Sequence, residues 1–131
     1  MTVLDASLAL DLILGTPAGK RWAAWTAEAD LVAPDHLLAE CGRVLRRLTL
    51  HGGLDPDRAE LALRTLLDLP LVYYPTRTLA QPAFDLRANF GFDDALYVAL
   101  ASQLGEDLAC TDRRLHRAVE QMTKIALASP A

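Results

Sequence analysis

Two kinds of hydrophobic pattern alternate along the chain. Short aliphatic runs of about four residues predict strands, and longer stretches with apolar positions every three to four residues predict helices. The strand-like runs are TVLD (2–5), LVAP (31–34), LVYY (71–74), DLAC (107–110) and KIAL (124–127). The first is followed at once by a helical pattern, ASLALDLIL, and Pro17 opens a second. Asp35 is placed to cap a long helix that runs to about Leu50 and stops at Gly52-Gly53. Asp55-Pro56, a cap followed by a first-turn proline, predicts a helix to about Asp68. Pro82 marks the start or a kink of a helix ending near Asn89, and residues 93–104 form another, ended by Gly105. A last helix is expected over 112–120.

Strands separated by helices imply a parallel sheet covered on both faces. The expected fold is therefore α/β, a three-layer α/β/α sandwich with a parallel sheet of about five strands. No repeat or long linker divides the chain, so one domain over residues 1–131 is expected. Sheets of this kind place ligands beyond the carboxyl ends of their strands.

Composition narrows the class without naming a function. The chain is 52% hydrophobic and 23% charged, which fits a globular protein. A net charge of −4 gives no global electrostatic case for nucleic acid or an acidic membrane, although a local site can bind either. The two cysteines, Cys41 and Cys110, form no CxxC and fit a reducing cytosol. The apolar start lacks a basic segment and carries Asp5 and Asp11, which argues against a signal peptide. No apolar run reaches the roughly 20 residues that span a bilayer, so a cytoplasmic location without membrane contact is expected.

Five carboxylates break the pattern. Asp5 ends the first strand and Asp112 follows the fourth, on the same predicted edge of the sheet. Taken singly, each reads as a helix cap. Glu40 lies within the apolar stripe Leu37, Cys41, Val44, Leu45 and Leu48, where an ionised group needs a partner or a path to water. Asp93 and Asp94 open a helix that is apolar on almost every side, and one cap needs only one acid. Acids gathered at one sheet edge raise each other's pKa, and burial raises them further. A divalent cation removes the conflict. All-oxygen ligation selects Mg2+ or Mn2+ over zinc, and such ions favour hydrolysis of a phosphodiester by a metal-activated water.

The motifs carrying these acids resemble those of PIN-domain ribonucleases, specifically the VapC-type toxins of bacterial toxin–antitoxin pairs. VLDASLAL resembles the opening strand, with Asp5 and, two residues on, Ser7. LLAECGRVLRR resembles the segment of the second acid, Glu40. LRANFGFDDALYVALASQLG resembles that of the third, with Asp94 rather than Asp93 in the acid's place, and ACTDRRL resembles the last, with Asp112. The resemblance implies Asp5, Glu40, Asp94 and Asp112 as catalytic acids, with Asp5, Asp94 and Asp112 holding Mg2+ or Mn2+ and Ser7 facing the substrate. It also implies endonucleolytic cleavage of RNA, a cognate VapB-type antitoxin and a homodimer. Three positions depart from the family pattern: Asp93 stands where an aromatic is usual, Cys110 where a hydroxyl residue is usual, and Gly91-Phe92 where a small, hydroxyl-bearing pair is common.

Arginines cluster near the acids: Arg43, Arg46, Arg47, Arg113, Arg114 and Arg117. Arg113, directly after Asp112, is the candidate for holding an RNA phosphate. His36, His51 and His116 show no metal spacing and read as surface or cap residues. Tyr97 reads as core, as do Trp22 and Trp25, three residues apart. An alternative reading is a catalytically weakened PIN-like module acting through protein partners, motivated by Asp93 and Cys110. A receiver-type phosphorylation domain is disfavoured, since it needs an acidic pair near the first strand and a late lysine, whereas Asp5 stands alone there and the only lysines are Lys20 and Lys124.

Overall fold

The structure, a computed structural model, describes residues 1–130. Its centre is a four-stranded parallel sheet in the order β3-β2-β1-β4, with β1 Thr2–Leu4, β2 Leu31–Pro34, β3 Leu71–Tyr74 and β4 Asp107–Ala109. Seven helices join them: α1 Ala6–Leu14, α2 Pro17–Glu28, α3 Leu37–His51, α4 Pro56–Asp68, α5 Thr76–Asp85, α6 Phe92–Leu104 and α7 Arg113–Met122. Every residue of β2 is buried. Successive side chains of a strand point to opposite faces, so both faces of the sheet are covered. Helix α6 packs on β1, β2 and β4 with α5 beside it, while α1 packs against α2, α3 and α4.

The register decides where the chemistry sits. Val3 pairs with Val32 on one side and Leu108 on the other, and Leu4 pairs with Ala109. The residues after β1, β2 and β4 therefore leave the sheet along one edge. The core behind that edge contains Val3, Leu4, Leu8, Val32, Leu37, Leu100, Leu108 and Leu115, all at 2% exposure or less. Each such aliphatic side chain contributes about 1.5–3 kcal/mol on burial. Helix α6 explains its all-round apolar sequence: Ala95 to Ala101 are buried without a break. Its alanines let the helix approach the sheet, and Gly105 ends it with φ 66, a left-handed conformation that favours glycine.

Three local features differ from the sequence pattern. Helix α5 begins at Thr76 and carries Pro82 inside it. Pro75 precedes the helix, and the interior proline forgoes one backbone bond without ending it. Asp35 does not cap α3; His36 holds that position, and the Asp35 carboxylate accepts a bond of 3.1 Å from the Thr76 amide. That bond ties the end of β2 to the start of α5. The fifth β-like run meets β4 at one parallel bridge, Leu108 with Leu127, supported by bonds from Leu108 N–H to the Ala126 carbonyl and from Ala128 N–H to the Leu108 carbonyl. Among the described residues, no helix is long and apolar enough to cross a membrane.

Candidate metal centre

Asp5 follows β1 directly and is the N-cap of α1, accepting a 3.0 Å bond from the Leu8 amide. It is only 4% exposed. The Ser7 hydroxyl donates to its carboxylate, 2.8 Å from one oxygen and 2.9 Å from the other. Burial pushes its pKa from 3.8 up to about 7. The bonds from Leu8 and Ser7 offset part of that rise, and the charge of Asp94 adds to it. An acid this deep, with no basic side chain bonded to it among the described residues, is short of positive charge.

Asp112 comes from the neighbouring strand's exit. Its Oδ1 caps α7 through the amides of Arg114 and Leu115, at 2.9 and 3.2 Å. The capping reading therefore holds for one oxygen and leaves the other free of bonds from the described residues. Ser7 joins the first and last acids: its oxygen accepts the amides of Thr111 and Asp112, each at 3.0 Å, while its hydroxyl serves Asp5. Beside it, the Thr111 hydroxyl donates to Asp11 at 2.6 Å, and Thr16 donates to the other Asp11 oxygen at 2.8 Å. Asp11 and Thr111 brace this turn, a support that the sequence reading did not identify. The signal was a bond between residues 100 positions apart. Cys110 is buried, and burial raises its thiol well above the usual range, so Ser7 and Thr111 supply the hydroxyls at this turn.

Glu40 sits in the first turn of α3, half-buried. Its Oε1 accepts a 2.9 Å bond from the Tyr97 hydroxyl on α6 and lies 2.8 Å from His36 Nε2. Burial works to raise its pKa, but the bonds from His36 and Tyr97 outweigh it and the carboxyl ends below its ordinary value. His36 occupies a cap position, as its sequence context implied, yet its ring faces inward. Nε2 also lies 3.1 Å from the Asp93 carbonyl, and the ring packs at 4.6 Å from that of Tyr97. Tyr97 is core by burial, at 1% exposure, and polar by contact.

The adjacent aspartates that open α6 divide their roles by burial. Asp93 is exposed; Asp94 turns inward and is half-buried. Burial raises the pKa of Asp94; the Arg114 guanidinium 3.7 Å away lowers it, and the charges of Asp112, Glu40 and Asp93 raise it again. Asp94 thus acts electrically on Asp5 and is acted on by Glu40 and Asp112. The basic side chain paired with this acid is Arg114. Arg113 is exposed and lines a shallow depression with Thr111, His116, Arg117 and Glu120. Trp22 is buried against a half-buried Trp25, edge to face at 5.1 Å.

The donor set fits a hard divalent cation: carboxylate oxygens around a buried acid that lacks compensation. Among the described residues, the one group of three donor atoms within 4.8 Å of one another is His36, Glu40 and Asp93. Asp5, Asp94 and Asp112 form no group that tight among the described residues; their link is electrostatic, Asp94 acting on Asp5 and Asp112 on Asp94.

A parallel sheet with acids at the carboxyl edge is the arrangement of a nuclease-like α/β domain, and the chain belongs to the PIN-domain family, whose pattern matches residues 2–121. It is 34% identical over 115 residues to ribonuclease VapC12 of Mycobacterium tuberculosis, a match covering 88% of this chain and 89% of that one. Ribonuclease VapC1 of the same organism is 36% identical over 115 residues, covering 86% of each chain. Among solved structures, VapC20 of Mycobacterium tuberculosis, a sarcin–ricin loop cleaving toxin, matches with a TM-score of 0.68 at 18% identity, over 90% of this chain and 95% of that one. FitAcB of Neisseria gonorrhoeae matches with a TM-score of 0.70 at 19% identity, over 99% of this chain and 98% of that one. At those identities the two structures speak to the fold.

Proposed function

We propose that this chain is a divalent-metal-dependent endoribonuclease of the VapC toxin type. Asp5, Asp94 and Asp112 hold Mg2+ or Mn2+, and Glu40 completes the catalytic set. When bound, the cation supplies a Lewis acid and lowers the pKa of its water. Glu40, held ionised by two hydrogen bonds, orients the attacking water more than it deprotonates it. Arg113, beside Asp112, meets an RNA phosphate, with Arg117 one turn further along the same depression. Ser7 serves the substrate through the backbone it fixes: its bonds to Thr111 and Asp112 set the turn that carries the last acid and Arg113.

The observation that carries this reading is Asp5: a buried carboxylate raised to about 7, coupled to Asp94, which is itself coupled to Glu40 and Asp112. That is a site built for a positive charge. The relatives named as ribonucleases match along most of this chain and of their own, which supports RNA as the substrate; a VapB-type antitoxin as the partner and a homodimer as the assembly belong to the same proposal. The decisive experiment incubates purified protein with single-stranded RNA and Mg2+ or Mn2+. Cleavage is expected, lost with EDTA and lost in Asp5→Asn. Equal cleavage by Asp5→Asn would falsify the proposal.

A further inference from the structure

We propose that His36 and Tyr97 are positioning residues that clamp one oxygen of Glu40 and turn the other toward the acidic centre. The inference rests on the reading of Glu40 as a catalytic acid and adds the device that aims it. Tyr97 lies 57 residues from Glu40 in sequence and on another helix, yet its hydroxyl donates to Oε1 at 2.9 Å. His36, one turn before Glu40, brings Nε2 to the same oxygen at 2.8 Å. Oε1 is therefore bonded twice, and Oε2 accepts no bond from the described residues. A carboxylate on a flexible glutamate side chain has lost its rotational freedom and kept one oxygen for use.

The ring geometry selects the proton's place. His36 Nε2 faces two acceptors, Glu40 Oε1 and the Asp93 carbonyl at 3.1 Å. His36 Nδ1 is buried and has no partner. A proton on Nε2 is shared by both acceptors. A proton on Nδ1 would leave a buried donor unpaired and set Nε2 lone pair against two oxygens. Ligation of a cation by Nε2 requires that second arrangement, since ligating imidazoles pass their other N–H to a partner. The imidazole is thus a donor to Glu40, although its Nε2 lies close to Glu40 and Asp93 oxygens. Its ring packs 4.6 Å from the Tyr97 ring, tilted by 41°, so the two donors to Oε1 also brace each other. The contact with the Asp93 carbonyl joins the start of α3 to the start of α6, so the clamp also sets where Asp94 begins.

Two measurements test this. Nitrogen-15 NMR of the metal-free protein should show the His36 proton on Nε2; a proton on Nδ1 overturns the inference. A mutant cycle then separates aiming from bulk structure. Tyr97→Phe, which removes one hydroxyl, should lower single-turnover cleavage by about 10–100-fold while the KM for RNA stays near that of the wild type. In a Glu40→Ala background the same change should cost nothing more, because its target is gone. Losses that multiply in the double variant overturn the inference. Wild-type protein that fails to cut RNA with either metal sinks the nuclease reading instead, and the NMR result still decides the clamp.

Discussion

Asp5 is buried, and burial opposes its ionisation; on the proposed function a bound cation removes that conflict. In the folded, metal-free protein its pKa is about 7, whereas the ordinary value is 3.8. As pH rises, the unfolded chain releases this proton first. The contribution of Asp5 to stability is therefore full below about pH 4 and is lost as pH rises through about 7. Glu40 acts in the opposite sense: its lowered pKa gives stability above its ordinary range that is lost in acid. The difference between wild type and Asp5→Asn isolates the first effect. Without metal, Asp5→Asn is expected to be the more stable protein at pH 8, on the order of 2–4 kcal/mol, with the gap closing toward pH 4. Thermal melts in chelator across that range check it. Glu40 was conspicuous in the sequence as an acid in an apolar stripe and Asp94 as one acid more than a cap needs, whereas Asp5 and Asp112 read singly as caps and stood out only through their common sheet edge. Asp11 was not legible, because its bond is to Thr111, 100 positions away, and His36 only in part: its i,i+4 spacing to Glu40 is local, but its contact with the Asp93 carbonyl, 57 positions away, is not.

At the scale of elements, the sharpest packing constraint lies far from the acids in sequence terms. Helix α2 crosses α1 at Gly19. A methyl group there would stand 2.0 Å from the Asp11 carbonyl oxygen and 2.5 Å from its carbon, both backbone atoms that cannot step aside. Gly19→Ala should destabilise the protein by about 1–3 kcal/mol. Gly42, inside α3 with nothing within 4 Å of its missing methyl, gives the control. Gly42→Ala should stabilise by about 0.5–1 kcal/mol. Urea unfolding of both variants tests the pair. Because Asp11 anchors Thr111, strain at the helix crossing reaches the turn that bears Asp112. The element boundaries themselves were largely visible: strands need aliphatic runs and helices need caps, and both are local. Helix α5 was misplaced because Pro82 looks like a boundary, and only packing on α6 shows that the helix passes through it.

For the whole molecule, binding and stability are one quantity. A cation that binds only the folded chain stabilises it by mass action, by about 2.7 kcal/mol at a concentration 100-fold above its Kd. Mn2+ should therefore raise the melting temperature of the wild type and leave Asp5→Asn nearly unmoved; calorimetry on both proteins checks this. The net charge of −4 opposes an approaching RNA, so the cation and the arginines of α7 must supply the local attraction. The sheet order has a consequence for synthesis. Strand β4 lies against β1, so the first strand made finishes its pairing with the last. Asp5, Glu40 and Asp94 leave the ribosome well before Asp112, and none can act in a complete centre until that residue emerges. On the proposed reading, a chain truncated before Asp112 is thus expected to lack the complete set of acids and to leave RNA uncut in the presence of Mg2+.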